Sequence, residues 1–397
     1  HLTAALSSSR GTRVVAIAEG IGNPFRPESF SGELYLDVDA ADLGAVQATL
    51  PATLPLRVDE GAVDLELWLA WEQGAPRIQG QVEARDLVVR PRNGEWSIPL
   101  QRLAFGASLV ERRNRWTLFA SDLVVRKHAN DLVLPRVQAD TWGDSLRLRS
   151  QDISIAQLNR ALVELEVTPA GLSDVFRTLQ PAGQLSALQL EVEDLGDPGQ
   201  AWQMQANFHD LALDPWRGAP GATNGSGYVE MGPGGGHAVV DARDMSLEFP
   251  TVYRHPLRWD DIHGTVNIGL FDDAVVLSSG PITARGEEGE VRALFGLNIP
   301  LGPSEVGLEM DLMAGVRNLA ANHRGKYLPY ILNQSLLDWL QGSITEGVVK
   351  EGAFIWRGSL RRGLREARTV QLFFDVANTS LEYHADWPPV TDMHGLV

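Results

Sequence analysis

The sequence predicts a mostly β fold, an antiparallel sheet carrying a few short amphipathic helices, and three observations support that prediction. Apolar and polar residues alternate with period two along most of the 397 residues, the pattern of strands with one covered and one wet face. Gly (39) and Pro (22) punctuate the chain as often as many short strands require. Helical spacing interrupts the alternation in only a few places.

Taken in order, Leu65, Leu67, Leu69 and Trp71 share one face of a strand, while Asp64, Glu66 and Trp68 take the other. Ile78, Val82 and Ala84 oppose Arg77, Gln79, Gln81 and Glu83, and Leu146 with Leu148 opposes Arg147 and Arg149. The first interruption runs from Ile153 to Leu165, with Ile155, Leu158, Leu162 and Leu165 at helical spacing behind Ser154 as N-cap. The second, Leu172 to Leu179, places Leu172, Val175, Phe176 and Leu179 on one helical face and stops before Pro181 and Gly183. Leu188, Leu190 and Val192 then oppose Gln189, Glu191 and Glu193. Val306, Leu308, Met310 and Leu312 alternate with Glu305, Gly307, Glu309 and Asp311. The third helix, Leu328 to Leu340, carries Ile331, Leu332, Leu336, Trp339 and Leu340 and ends at Gly342. Leu372, Phe374 and Val376 resume the strand pattern. The expected organisation is one continuous repeat domain, with β segments at 1–150, 184–315 and 344–397 and helical inserts at 151–183 and 316–343.

Two echoes argue for repetition. Leu179 to Leu185 reads LQPAGQL and Leu340 to Val348 reads LQGSITEGV, each following a helix and entering alternating residues. Pro99 with Gly106, Pro220 with Gly227 and Pro388 with Gly395 keep one spacing, and Pro256 with Gly264 is one residue wider. A proline cannot donate to a central ladder, so each marks a crossing between strands at an edge. Repeats of this kind indicate stacked architecture.

Composition excludes several functions. A formal net charge of −17 repels phosphate backbones, and no basic cluster with interleaved aromatics offsets it, so nucleic acid is not a partner. The absence of cysteine removes disulfides, thiolate metal sites and cysteine nucleophiles, and suits an oxidising compartment such as the periplasm. No apolar run reaches the ~20 residues that span a bilayer. The start at His1 without an initiator Met and the end at Val397 in mid-pattern lead us to expect a segment of a longer protein, with any membrane anchor elsewhere.

Catalysis finds little foothold. Trp259, Asp260, Asp261 and His263 with His255 could offer carboxylates and imidazoles to a metal, but adjacent Asp residues on a strand diverge, so a solvated turn is expected. His384, Asp386, Asp392 and His394 receive the same reading, with Pro388 and Pro389 stiffening the turn. Gly232, Gly234, Gly235 and Gly236 lack a following Lys-Ser/Thr and read as a hairpin loop, not a phosphate cradle. Neither a G-x-S-x-G elbow nor an H-E-x-x-H pair is present. No enzyme activity, metal or cofactor is expected. The aromatics (11 Trp, 6 Tyr, 12 Phe) could build a sugar-stacking platform, but Trp68, Trp116, Trp142, Trp202 and Trp356 lie in alternating strands, where large rings cover apolar surface or an open edge.

Tyr327-Leu328-Pro329, Leu336, Trp339-Leu340, Gly347-Val348 and the run from Gly352-Ala353-Phe354 through Ile355-Trp356-Arg357 to Gly358 resemble the YhdP group of the AsmA-like family. Val376-Ala377-Asn378, Tyr383-His384, Trp387-Pro388-Pro389 and His394-Gly395 are similar to its continuation. Leu179 to Gly183 and the run from Phe249-Pro250 through His255-Pro256-Leu257 to His263-Gly264 are similar to earlier cycles of the same pattern. The resemblance covers about residue 150 to the end. It implies a Gram-negative envelope protein, anchored in the inner membrane by an N-terminal helix. Its periplasmic part would be an elongated, twisted β-sheet forming an open hydrophobic groove that moves phospholipid toward the outer membrane. Phospholipid acyl chains would be the ligand, and proteins of the inner and outer membranes the partners.

A sheet with one apolar face must cover that face or use it, and lipid tails can be the cover. By alternation, Leu65, Leu67, Leu69, Leu146, Leu148, Leu188, Leu190, Leu308, Met310, Leu372 and Phe374 are expected to line the groove. The competing reading makes them the closed core of β-sandwich domains that serve as a scaffold or protein-binding module.

Overall fold

The computed structural model describes residues 2–7, 12–23, 31–44, 56–72, 75–92, 96–112, 115–128, 131–165, 172–216, 218–250, 252–287, 289–327, 330, 334–361, 368–384 and 386–396. They form mostly antiparallel strands with a few short helices. The chain divides into two compact units: His1–Val167 with Leu185–Ala206, and Thr168–Gln184 with Asn207–Val397. The division passes through the strands Ala182–Val192 and Trp202–Leu213 instead of following the helical inserts.

In the first unit, strands Leu2–Ser7, Arg13–Ile21, Ser31–Asp42, Ala62–Glu72, Ala75–Pro91, Ile98–Arg112, Arg115–Arg126, Asp131–Trp142 and Ser145–Ser150 pair in succession, all antiparallel. Residues Leu188 to Val192 pair on the last of these. In the second unit, Gly221–Gly232, Gly235–Glu248 and Leu257–Leu270 pair in turn. Ala274–Ser279 and Ile282–Gly286 then share the next position, followed by Gly289–Pro300, Glu309–Ala320, Ile344–Ser359, Arg368–Leu381 and Val390–Leu396. The expected glycine hairpin is present: Gly232 pairs with Gly235 around Pro233-Gly234, a two-residue loop that suits the strand twist.

Several long strands contain one residue in the left-handed region, namely Asp86 (φ 53°), Asp122 (51°), Asp210 (51°), Asp244 (52°) and Asn318 (53°). Asp and Asn are the side chains that tolerate this conformation best after Gly. Each follows one local pattern, as in Ala84-Arg85-Asp86-Leu87, Ala242-Arg243-Asp244-Met245 and Val316-Arg317-Asn318-Leu319. The irregularity consumes one step of the alternation, so residues three apart return to the same side. Ala84 and Leu87 are 2% and 1% exposed. Opposite Asn318, Gly289 has φ 143°, and a Cβ there would stand 2.6 Å from the Arg317 carbonyl oxygen, so only glycine fits.

The left-handed residue divides such a strand into two limbs. In the first unit, one limb builds a closed core of Val38, Ala41, Leu43, Val63, Ala84, Leu87 and Leu100. In the second unit, Ala222, Ala242, Met245, Leu257, Trp259, Ile262 and Ala284 form the corresponding cluster, with Tyr253 and Tyr327 packed against it.

The helices fall close to the expected places. Ile155–Leu165 forms, with the Gln157 N–H donating to Ser154 Oγ at 3.4 Å as the N-cap reading requires. Leu172–Leu179 forms as expected. In the third region, Arg324–Tyr327 and Gln334–Ser343 are helical, while Leu328, Pro329, Ile331 and Leu332 lie outside the described residues. Leu179 and Ser343 close their helices just before strands beginning at Ala182 and Ile344. Each of those strands carries a positive-φ glycine near its start, Gly183 and Gly347, so the repeated module has a structural counterpart.

Two expectations are corrected. Trp259 to His263 is not a turn but part of the strand Leu257–Leu270, because Trp259 and Ile262 are needed in the closed cluster. The strand read from Val306 begins only at Glu309, since Gly307 adopts φ 69°.

Candidate functional site

Antiparallel partners place their side chains on the same face, so the registers assemble the alternating residues into rows. In the first unit one row runs Leu36, Leu67, Gly80, Ala107, Ala120, Val137, Ser150, Leu188. The next runs Leu34, Leu69, Ile78, Leu109, Leu118, Ala139, Leu148, Leu190. Leu65 pairs with Val38 and Val82, and Leu146 with Thr141 and Val192, on the same face. Leu65, Leu67, Leu69, Leu146, Leu148, Leu188 and Leu190 therefore share one apolar face.

These leucines are half-buried, unlike the closed limb, where Leu87 is 1% exposed. Within this unit the helix Ile155–Leu165 packs against the strand Asp131–Trp142, and the paired strands form one ladder with no second sheet among the described residues. Mid-row the side chains are small, Gly80, Ala107 and Ala120. The Leu67 side chain leans across Gly80, where a Cβ would lie 2.8 Å from Leu67 Cδ2.

The opposite face is polar and internally paired. Arg147 donates to Glu191 at 2.9 Å, and Asp140 accepts from Thr117 at 2.8 Å, Gln138 at 2.9 Å and Arg149 at 3.1 Å. Arg115 and Arg147 lie 5.0 and 5.1 Å from the ring centre of Trp142. Farther along, Arg126 donates to Asp131 at 2.6 Å and, by that hydrogen bond, holds its carboxyl below the usual range. In the second unit, hydrogen bonds from Arg285 and Arg292 lower Glu290 in the same way. The sidedness of the sheet is thus fixed from both faces: apolar rows on one, satisfied charges on the other.

The second unit places the remaining candidates differently. Met310 pairs with Leu297 and Gly358, Leu372 with Phe354, and Phe374 with Gly352, all on one face. Leu372 is 60% exposed, and a Cβ on Gly352 would meet the Phe374 ring at 2.6 Å. Leu308, however, precedes its strand and is sealed in a cluster with Val175, Trp216, Val275, Leu297 and Ile299, against which Met310 packs. Val175 belongs to the helix Leu172–Leu179, so the second helix of the first insert covers this part of the apolar face. Alternation could not foresee this, because it registers which side a residue faces and not what lies over it.

The polar groups considered for catalysis do not converge. Asp261 pairs with Arg243 at 3.9 Å. His384 lies 3.7 Å from Asp386 and His394 3.1 Å from Asp392, as two separate pairs. Among the described residues no group of three or more His, Asp or Glu could hold a metal ion. No helix among them is long and apolar enough to cross a membrane.

Comparison with known proteins gives a consistent result. The family model described as YhdP protein matches residues 4–397. The intermembrane phospholipid transporter YhdP of Escherichia coli (strain K12) is 25% identical over 258 residues, covering 63% of this chain and 20% of that protein. The chain therefore spans about a fifth of the length of that relative. No solved structure matches the chain.

Proposed function

Because the chain belongs to the YhdP family, we propose that it is a section of a phospholipid-transport protein of the Gram-negative envelope, with acyl chains resting on the half-buried apolar rows. The observation that carries this reading is the unbroken apolar face of the first unit, from Leu36 across Leu67, Leu69, Leu109, Leu118 and Leu148 to Leu190, backed by a paired polar face. Each methylene taken from water contributes about 0.8 kcal/mol. A lipid leaving a bilayer through water forfeits that gain along both tails, and an apolar face extending between membranes retains it. No bond is made or broken, so the section is non-enzymatic. It works in the periplasm, within a longer protein held at the inner membrane, and meets membrane proteins at either end.

In this reading Leu65, Leu67, Leu69, Leu146, Leu148, Leu188 and Leu190 touch lipid, as do Leu372 and Phe374, while Leu308 and Met310 pack in and against the cluster that includes Val175 of the covering helix. The test is photo-crosslinking in cells producing the longer protein, with a photoreactive residue at Leu67 or Leu190 and, for comparison, at Glu66 or Gln189 on the other face. Phospholipid adducts from the leucine positions alone are expected. Equal labelling from both faces, or none from the leucines, overturns the proposal in favour of a closed scaffold.

A further inference from the structure

The indole N–H of Trp71 is shut off from solvent and has no hydrogen-bond partner among the described residues. The ring stands on the apolar face, in line with Leu65, Leu67 and Leu69. Its row reads Gly20, Gly32, Trp71, Pro76. Proline brings no N–H and no acceptor side chain. The two glycines leave the sheet bare on the other side, over a width of about two strand spacings, roughly 9 to 10 Å. An unmade donor is costly where water cannot reach it, so a ligand that brings an acceptor onto this face would gain most at this position.

Resting on the proposed function above, we propose that Trp71 is a lipid-binding residue that recognises the ester linkage: the indole turns over the bare glycines and donates to a glycerol-ester carbonyl. That carbonyl is the acceptor that travels nearest the acyl chains, whereas the phosphate needs water or charge. The feature read is therefore the acyl ester, which a hydrocarbon or a dialkyl ether lipid lacks.

Trp259 supplies an internal control. Its indole N–H is also unpartnered among the described residues, but the side chain is only 7% exposed inside the closed cluster, with Lys326 Nζ 5.5 Å from the ring centre. It is out of reach of lipid.

The experiment compares binding of ester-linked and ether-linked phosphatidylethanolamine, matched in chain length, to the intact chain by native mass spectrometry. The wild type should prefer the ester by about two- to tenfold, the worth of one hydrogen bond. Trp71→Phe should lose that preference, taking up ester and ether lipids alike, and Trp259→Phe should retain it. A preference that survives Trp71→Phe, or a wild type with none, overturns the assignment to Trp71. If the wild type binds neither lipid, the proposed function itself fails, and the assignment falls with it.

Discussion

Shortening Leu87 and Leu148 to alanine separates an open apolar face from a closed core. Leu87 is 1% exposed and belongs to the sealed limb of the first unit. Leu148 lies half-buried among Ala139 and Leu190 on the face assigned to lipid. Truncation removes about three methylene equivalents, about 2.4 kcal/mol at 0.8 each. Within a sealed cluster the unfilled cavity adds to this, so Leu87→Ala should cost about 3 kcal/mol or more. Leu148 keeps roughly a third of its surface or less in water and leaves no sealed void, so Leu148→Ala should cost about 1.5 kcal/mol. With a urea m-value of about 3 kcal/mol/M for a chain of this size, the midpoint of the transition reporting the first unit should fall by about 1 M for Leu87→Ala. The shift for Leu148→Ala should be about half of that. Tryptophan fluorescence follows both. Equal shifts would mean that protein covers Leu148 as fully as Leu87, leaving no face for acyl chains.

Four further outcomes are expected. Asp86→Val should lower stability by about 1 to 2 kcal/mol, because a β-branched residue resists the left-handed conformation, whereas Asp86→Gly should be near neutral; urea midpoints distinguish them. Ser154→Ala should cost about 1 kcal/mol through loss of the N-cap on Ile155–Leu165, detectable as faster amide exchange in its first turn. Hydrogen bonds from Arg285 and Arg292 hold Glu290 below the usual carboxylate range, so its contribution is complete above its unfolded pKa of about 4.3 and disappears as pH falls through the lower folded value. Glu290→Gln should lack that acid-side loss when unfolding midpoints are compared between about pH 5 and about pH 3. Leu190→Asp in the longer protein should slow lipid movement while this chain still folds, checked by transfer of labelled phospholipid alongside circular dichroism; undiminished transfer would count against Leu190 as a lipid contact.

The sheet was legible because alternation is a direct consequence of pleating. Leu65 to Trp71, Ile78 to Ala84 and Leu188 to Val192 all lie in strands with the sidedness read from sequence. The helices at Ile155–Leu165 and Leu172–Leu179 were legible for a similar reason, since an apolar stripe and a cap are local features. The closed limbs were not, because simple alternation places Leu87 and Met245 on the wrong side of their strands. Their signal was present in the recurring pattern of an apolar residue, any residue, Asp or Asn, then an apolar residue, with the acidic or amide side chain taking the left-handed position. The cover over Leu308 depends on a helix more than a hundred residues away in sequence, which no local pattern encodes. Trp71 was read as one more apolar residue, and its unmet N–H emerges only once its row partners are known to be Gly32 and Pro76.

The left-handed residues also constrain how such a chain can change length over its history. Each works as a phase marker, so that a single codon inserted between Leu67 and Leu69 would send Leu69 and Trp71 to the charged face. An insertion between Gly143 and Asp144, in a loop joining two strands, would disturb neither face. A lineage of these proteins can therefore lengthen by duplicating whole hairpins, each bringing its own phase marker, while strands themselves drift only in even steps. Lengthening of the apolar surface is then cheap in mutational terms, and a change in its sidedness is nearly prohibited.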